Sequence, residues 1–489
     1  MVVQHNMQAA NASRMLNITT DGQSKSTEKL SSGYRINRAA DDAAGLSISE
    51  KMRKQIRGLD QASTNASDGV SAVQTAEGAL TEVHSMLQRM NELAVQASNG
   101  TNSESDRDDI QNEIEQLEQE IDRIAETTKF NETYLLKGDN GLKTLYVDVH
   151  DAGLDGTLIQ NSIKGTFKME TLEAGEKYTI GGVQYTIGAR DMAEVAESLN
   201  VSSYFNSSAT DQWSGFPEGE VISIDGKSYT ISSQTDITNS KITTGYIQQL
   251  IVAGSTVKYN GNTVTMFSEN VVDGIDQANT TLIKATKAYS MVATELKAAS
   301  SIGGTNKAAE VSIKNAATTD SYGATYVGEI VTTGSVKNTY ISFTVTKGEV
   351  KIQNALDFNL HVGSDADMSN KINVEIAAMN SKSLGIDGLN VSDSTGKAAT
   401  YAIDAIADAL QRVSDQRADL GAIQNRLEHS IANLDNVVEN TEAAESRIRD
   451  TDMADEMVTY SKNNILAQAG QSMLAQANQA TQGVLSLLQ

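Results

Sequence analysis

The chain has no cysteine, and its 489 residues include only one proline, one tryptophan and 5% aromatic residues. Without cysteine, disulfides and thiolate metal ligands are excluded. A sequence so poor in proline and aromatics favours long helices that meet through small and medium side chains. The formal net charge of −24 provides no basic footprint, so no nucleic-acid partner is predicted.

Long apolar runs are also lacking. No stretch approaches ~18 consecutive apolar residues, so we predict no membrane-spanning segment and no membrane partner. The first residues, MVVQHNMQAANASRML, have no charged region followed by an apolar core. The chain is therefore expected either to remain in the cytosol or to leave the cell by a route that needs no cleaved signal peptide.

Composition divides the sequence into three parts. Residues 1–138 and 397–489 contain no proline and are expected to be helical, whereas the middle is rich in Gly, Thr, Val and Tyr. This order predicts a mainly α core, with long coiled-coil helices from both termini and an inserted β-rich α+β region.

Heptad spacing supports the helical ends. Apolar residues separated by three and four positions predict one seam in the C-terminal part and two in the N-terminal part, which a polar turn at 100–105 separates. Helices of this length need partners along their seams, so we expect a bundle in which the termini meet. The three seams consist of Ile403, Ile406, Leu410, Val413, Leu420, Leu427, Ile431, Leu434, Val438 and Ile448; of Ile56, Leu59, Ala66, Val70, Val73, Leu80 and Leu87; and of Ile110, Ile114, Leu117, Ile121 and Ile124.

The last forty residues have apolar side chains on more than one side of a helix, and no charge follows Lys462. Such a helix requires burial on several sides, which other copies of the chain would provide. We expect the N-terminal helix (Val3, Met7, Ala10, Met15) to be its first partner and the terminus to be disordered before assembly. The predicted polymerisation residues are Leu466, Ala469, Met473, Leu474, Ala477, Val484, Leu485 and Leu488.

The middle contains three weakly similar segments. Each has two short alternating strands around a turn dipeptide: Gly181-Gly182, Asp225-Gly226 and Asn260-Gly261. Asn-Gly and Asp-Gly dipeptides favour hairpin turns, because both turn positions need a positive φ. The first and third segments are expected to continue into helices, giving hairpin-plus-helix units.

Four motifs resemble flagellin, the subunit of the bacterial flagellar filament. They are SSGYRINRAADDAAGL (31–46), LQRMNELAVQASNGTNSESDR (87–107), IQNEIEQLEQEIDRI with KFNETYLLKG (110–138), and AQANQATQGVLSLLQ (475–489). The resemblance covers about 140 residues at each end. One departure is Thr481, where the family often has proline.

The resemblance implies an inner-core helical domain (1–43 plus 450–489), an outer-core bundle with a β-hairpin (44–138 plus 351–449) and a variable surface-exposed insertion (139–350) of one or two α+β subdomains. The segment 356–386 resembles the outer-core hairpin. The implied location is extracellular, in the flagellar filament, after type III export. The implied partners are further copies of the chain, an export chaperone, and the hook-junction and cap proteins.

The resemblance also implies a receptor-binding face on the first long helix. From the residues alone, an ordinary solvated face is favoured, with Leu93 as an exposed apolar residue opposite Leu87. In flagellins the matching face forms subunit contacts and is recognised by Toll-like receptor 5. By matched position, the implied receptor contacts are Gln88, Arg89, Glu92, Leu93, Gln96 and Glu113.

No catalytic, cofactor-binding or metal site is predicted, and the chain is not expected to be an enzyme. Asp41 and Asp42 suit a helix N-terminus beside Gly45 better than a metal or acid–base site, and the resemblance places a joint between core layers there. No metal-ligand spacing, Gly-x-Ser-x-Gly motif or phosphate loop occurs. The five histidines are His5, His84, His150, His361 and His429.

Two alternative functions remain open. A hook–filament junction protein shares this terminal design, although its receptor face would usually be incomplete. An adhesin or enzyme function in the insertion is the second alternative, and some of its many Ser and Thr residues could carry O-linked sugars. Neither alternative has a motif of its own in this sequence.

Overall fold

The computed structural model of the chain describes residues 6–205, 213, 216–314, 329–333 and 336–486. These residues fall into two compact units. The first lies within Met1–Gln74, Phe358–Val374 and Leu420–Gln489, and the second within Thr75–Asp357 and Glu375–Asp419.

Long helices occupy both ends of the chain, and short ones occur in the middle. The longest, α2 and α8, contain 56 and 53 residues, which corresponds to about 80 Å each. Within the described residues the α-helices are α1 Met7–Ser32, α2 Ala43–Ser98, α3 Glu104–Thr127, α4 Met192–Ser198, α5 Thr244–Leu250, α6 Ala285–Ser300, α7 Ser381–Leu384, α8 Lys397–Arg449 and α9 Met453–Ser486.

The start of α3 is set by a reciprocal cap. The Ser103 Oγ accepts a hydrogen bond from Asp106 N over 3.2 Å, and the Asp106 carboxylate accepts one from Ser103 N over 2.9 Å. This exchange satisfies two N–H groups at the helix start. It explains why the polar turn predicted at 100–105 ends where it does.

The predicted seams face the interior. Every seam residue of α2, α3 and α8 is buried or half-buried. In the first unit, Leu59 and Ala62 cluster with Leu434, while Ala66 clusters with Leu427. The helices at the two ends of the sequence therefore share one core, as the heptad spacing predicts.

The β-strands lie mainly between α3 and α8. They are β1 Lys129–Phe130, β2 Thr133–Tyr134, β3 Asp139–Tyr146, β4 Thr157–Gln160, β5 Lys164–Glu170, β6 Lys177–Ile180, β7 Val183–Ile187, β8 Val221–Ile224, β9 Lys227–Ile231, β10 Lys241–Ile242, β11 Thr256–Tyr259, β12 Asn262–Thr265, β13 Val271–Val272, β14 Ile275–Asp276, β15 Leu282–Ile283, β16 Glu310–Lys314, β17 Glu329–Thr333, β18 Val336–Thr346, β19 Glu349–Asn354, β20 Leu356–His361 and β21 Lys371–Ile376.

Three larger sheets have the strand orders β10-β9-β8-β11-β12, β13-β14-β15-β7-β6 and β16-β18-β5-β4, with β17 also pairing with β18. Three two-stranded sheets are β1-β2, β19-β3 and β20-β21, the last at the position of the hairpin that the resemblance implies. A mainly helical core with a β-rich inserted region, the predicted fold class, is confirmed.

All three predicted hairpins are present, as β6–β7, β8–β9 and β11–β12. Each is preceded by a glycine with φ between 89° and 98°, namely Gly175, Gly219 or Gly254. The N–H of each glycine donates to the carbonyl of Ile187, Ile231 or Phe267 respectively, at the far end of its hairpin. This shared bond makes the three segments true structural repeats, and the glycines are a signal that the sequence interpretation overlooked.

The helical tail predicted after the third hairpin is wrong. Residues 271–276 form another hairpin, β13–β14, in which Val271 pairs with Asp276 and Val272 with Ile275. Its turn is Asp273-Gly274, with φ values of 49° and 76°. An Asp-Gly turn between β-branched residues favours a hairpin over a helix, so local turn chemistry prevailed. The predicted helix after the first hairpin is confirmed as α4.

Two hydrophobic clusters stabilise the inserted region. One surrounds Phe167 and Phe343 and includes the inner face of α6. The other surrounds Trp213 and Phe216 and includes Val195 of α4 and Ile247 of α5. Each cluster is formed within the second unit, so this region has interior packing of its own.

Candidate functional site

Helices α1 and α9 lie antiparallel against each other in the first unit. Asn6 Nδ2 donates to Ala477 O over 3.2 Å at one end, and Lys29 Nζ lies 3.5 Å from Glu456 Oε2 near the other. Between these points, Gly470 faces Leu16 closely enough that a Cβ there would lie 3.3 Å from Leu16 Cδ1. α1 is thus the partner of α9 within the chain.

This pair leaves most of its apolar side chains exposed. Met7, Met15, Ile465 and Met473 are 73%, 52%, 66% and 64% exposed. A groove of about 730 Å³ between the helices is lined by Met15, Leu16, Leu466 and Met473, among others. Two helices cannot cover each other on every side, so these surfaces lack a partner within the described part of the chain.

The predicted polymerisation residues occupy this pair. Leu466, Ala469 and Met473 are exposed, while Leu474 and Ala477 are half-buried against α1. Val484 and Leu485 lie within α9, but their side chains fall outside what the structure describes, and Leu488 lies outside the described residues.

The predicted receptor face centres on an ion-paired arginine. Arg89 Nη2 lies 2.8 Å from Glu113 Oε1 on α3, and Arg89 Nη1 lies 3.1 Å from Glu92 Oε2 on its own helix. The hydrogen bond with Glu113, followed by that with Glu92, raises the pKa of Arg89 above its ordinary value. Gln88, Arg89, Glu92, Gln96 and Glu113 are all exposed.

The expectation that Leu93 is exposed is wrong, because Leu93 is only 1% exposed. Ion pairs from Arg89 to Glu113 of α3 and from Arg417 of α8 to Glu77 show that two helices lie against α2. α2 therefore buries two faces rather than one. A single seam assigned from heptads therefore misplaces side chains such as Leu93 that lie on the second face.

The sharp turn between α1 and α2 uses both aspartates structurally. The Asp41 carboxylate accepts hydrogen bonds from Asn37 N and Arg38 N over 3.1 and 2.9 Å, which hold the pKa of Asp41 below its ordinary value. Asp42 Oδ1 accepts from Gly45 N over 2.9 Å. A Cβ on Gly45 would lie 2.4 Å from Asp42 Oδ2, so a larger residue here would displace the capping carboxylate where the turn enters α2.

A buried arginine that sequence reasoning did not single out fixes the α2–α3 turn. Arg107 is 3% exposed and donates to the carbonyls of Ala97 and Asn99 over 2.8 and 3.3 Å. Its Nη1 also donates to the carbonyls of Asp393 and Ser394 over 3.4 and 3.3 Å. The charge is thereby stabilised by carbonyl dipoles at the end of α2 and at residues 393–394. Only its place in the Ser-Asp-Arg sequence, directly after the cap, could have indicated this role.

Within the described residues, no group of three His, Asp or Glu side chains is arranged to hold a metal ion. Nor does any helix of this part of the chain combine the length and hydropathy that a membrane span requires.

The fold and its surfaces define a class: a helical subunit with a β-rich insertion and uncovered apolar faces on its terminal helices. The comparisons agree. A family model for the bacterial flagellin N-terminal helical region matches residues 3–141, and one for the C-terminal helical region matches residues 403–488.

Individual relatives extend this match along the whole chain. The flagellin of Clostridium tyrobutyricum is 38% identical over 485 residues, covering 99% of this chain and 100% of the relative. The flagellin of Salmonella rubislaw is 34% identical and covers 94% of each chain. A solved structure of FliC from Burkholderia pseudomallei, 21% identical, covers 73% of this chain and 99% of that chain, with a TM-score of 0.26.

The chain belongs to the flagellin family. It is accordingly a structural subunit of the bacterial flagellar filament, which is extracellular and is built from copies of such a subunit.

Proposed function

We propose that copies of this chain add head to tail to a filament whose rotation drives swimming. The exposed apolar side chains of α1 and α9 carry the proposal, because hydrophobic surface on two sides of a helix pair is covered when neighbouring copies enclose it. Leu466, Ala469, Met473, Leu474, Ala477, Val484, Leu485 and Leu488 would form the contacts.

Seeded growth tests this proposal. Purified chains mixed with short filament fragments should elongate them into long filaments visible by electron microscopy. The same gene should restore swimming to cells that lack their own filament subunit. Chains that stay monomeric at every chain concentration tested, even with seeds present, would contradict the proposal. Addition of only a few copies to the ends of the seeds, without further growth, would favour a hook–filament junction role.

We further propose that the free subunit is recognised by Toll-like receptor 5 through the face around Arg89. An arginine held between two carboxylates, Glu92 and Glu113, presents a pre-organised charged patch, and Gln88 and Gln96 extend its polar rim. Leu93 is only 1% exposed, so it is not proposed as a direct receptor contact. Receptor binding and subunit packing would compete for this surface, so the monomer is the recognised form.

A matched pair of variants tests the receptor proposal. Arg89→Ala should lower receptor activation in a reporter cell at least tenfold, because both carboxylates lose their partner. Arg123→Ala removes a similarly exposed arginine, paired with Glu120 on α3, and should leave activation unchanged. Equal activation by both variants would refute the assignment of this face.

The remaining expectations are proposals of the same kind. The domain division at 43/44, 138/139, 350/351 and 449/450, an export chaperone that shields α9, contacts with hook-junction and cap proteins, and export without a cleaved signal peptide each follow from family membership. Binding by the isolated second-unit insertion to glycans or host proteins would support an added adhesin function.

A further inference from the structure

The two linkers that connect α1 to α2 and α8 to α9 are joined by a short antiparallel bridge. Tyr34 pairs with Asp450. Arg35 N donates to Arg449 O over 2.7 Å, and Thr451 N donates to Gly33 O over 3.0 Å. All of these residues belong to the first unit, so the backbone ties both linkers together where the terminal helix pair begins.

The side chain of Arg449, the last residue of α8, lies over this bridge. Its guanidinium carbon is 4.8 Å from the centre of the Tyr34 ring. Its Nη1 lies 2.9 Å from Glu50 Oε1 and 3.3 Å from Ser49 Oγ on α2, and the side chain is only 14% exposed. One cation at the end of α8 therefore contacts both the first linker and α2.

The hydrogen bonds of the Arg449 guanidinium do not by themselves explain its position. The Arg449 Nε is buried and has no acceptor among the described residues. A buried donor without a partner is unfavourable, so the position of the guanidinium is set by its cation–π contact with Tyr34 and by the contacts of Nη1. A lysine would keep the charge but could neither stack as a plane nor make this branched set of contacts.

The first linker is itself held in one conformation. Ile36 is 1% exposed, Asp41 caps the turn at residues 37–38, and Arg38 forms a two-point contact with Glu28 over 2.9 and 3.0 Å. A linker fixed along its length transmits the position of its ends. The bridge and Arg449 can therefore set where α1 ends and where α9 begins.

We propose that Arg449 and Tyr34 form a latch that fixes the direction in which the α1–α9 pair leaves α2 and α8, and that filament growth requires this direction. The inference rests on the proposed polymerisation. Each added subunit must place its apolar terminal faces against the same neighbours, and a pre-set direction lowers the entropic cost of doing so. Arg449 and Tyr34 are positioning residues, because they act through the orientation of the terminal pair.

Seeded growth with four variants tests the latch. Arg449→Lys and Tyr34→Leu should each raise the critical concentration for elongation of wild-type seeds at least tenfold. Tyr34→Phe keeps the ring and should match wild type. Arg57→Lys, which makes the same exchange at an exposed arginine on α2, should also match wild type. Amide exchange at Arg35 and Thr451 should accelerate in the first two variants, while the main melting transition moves by less than about 2 °C.

Three outcomes would overturn the latch. Growth of Arg449→Lys at the wild-type concentration would mean that charge alone suffices. Unchanged exchange at the two bridge amides would mean that the linkers do not depend on this side chain. A melting temperature that falls in step with assembly would reveal a general stability effect. If wild-type chains themselves fail to elongate seeds, the proposed polymerisation fails instead, which separates the two hypotheses.

Discussion

Helices α6 and α9 are both rich in small and apolar residues, yet they differ in how much of themselves they bury. Six of the 16 residues of α6 are buried. Among the side chains of α9 that the structure describes, between Met453 and Gln479, only Ala467 is buried. Helices in isolation are marginal in water. α6 is therefore stabilised by its own chain, whereas α9 packs against α1 and leaves most of its described apolar side chains exposed, so under the proposed polymerisation other copies would cover it.

The two helices show two ways in which parts of one subunit can be stabilised: by packing within the chain and by packing against other copies. Val292 and Leu296 of α6 belong to the cluster around Phe167 and Phe343. On α9, Ile465 and Met473 project into the surroundings. The inserted region should thus be folded in any state, and the terminal pair should become fully ordered only in the filament.

Removing α9 should have the largest effect on filament assembly. A chain that ends at residue 449 lacks α9 and leaves α1 without its partner, so it should stay monomeric at any concentration in the presence of seeds. Sedimentation and electron microscopy would measure this. The melting transition of the inserted region should persist, because its clusters contain no residue from α1 or α9. Normal elongation by this truncated chain would show that α9 is not an assembly element.

A cavity in α6 should affect stability without affecting assembly. Leu296 is fully buried, so Leu296→Ala should destabilise the inserted region by about 3 kcal/mol through lost burial and a residual void. Denaturant unfolding would measure the change, with the exposed Lys297→Ala as control. The seeds should still grow at room temperature. A loss of filament elongation with Leu296→Ala would mean that assembly through the terminal helices depends on the packing of the inserted region.

A pH dependence of stability is expected in the second unit, to which α6 belongs. Burial raises the pKa of Glu118 to about 7, and Asp387 and Asp122 add to the shift, although the Gly388 N–H opposes it from 3.3 Å. A raised carboxyl pKa stabilises the fold below pH 4.5, and this contribution is lost as pH rises through 7.

Glu118→Gln should remove this loss. The variant should be more stable than wild type at pH 8 by about 1 kcal/mol, after allowing for solvent screening of a partly exposed group, and the gap should close toward pH 5. Urea unfolding at several pH values would measure it, with the exposed Glu115→Gln as control. A gap that does not vary with pH would show that Glu118 does not titrate in this range.

The smallest effect should come from the surface of α9 in the free subunit. Met473 is 64% exposed, so Met473→Ala should change the stability of the monomer by less than about 0.5 kcal/mol. The same variant should raise the critical concentration for growth, because the side chain becomes buried only between copies. A monomer destabilised as strongly as by Leu296→Ala would mean that α9 already has an intrachain core.

Sequence patterns were sufficient for features that depend on local chemistry or on one regular repeat. The heptads of α2 and α8 indicated the shared core, and the Gly-Gly, Asp-Gly and Asn-Gly dipeptides indicated three hairpins. The order of helices and strands followed from composition. These signals are local in sequence, so they can be interpreted without knowing the tertiary contacts.

The failures have physical causes. Leu93 was misplaced because α2 packs against two helices, and no single seam records a second contact. The helix expected around Asp273-Gly274 reflected similarity between repeats, which turn chemistry overrode. Arg449 gave no signal of its own and Arg107 only its place after the cap, because a buried cation depends on carbonyls, rings and carboxylates that only folding brings together. The proposed contacts between copies involve the exposed side chains of α9, and a single chain indicates the need for such contacts but not their geometry.

The pairing of β3 with β19 has a practical consequence. Tyr146 lies opposite Glu349, so the roughly 200 residues between them enter and leave the helical body through adjacent strands. Neighbouring strands are about 5 Å apart, and any folded module whose two ends lie that close together meets the same geometric demand. An antigen or an enzyme with closely spaced ends could therefore replace the inserted region, and a filament of such subunits would display one copy of it per subunit.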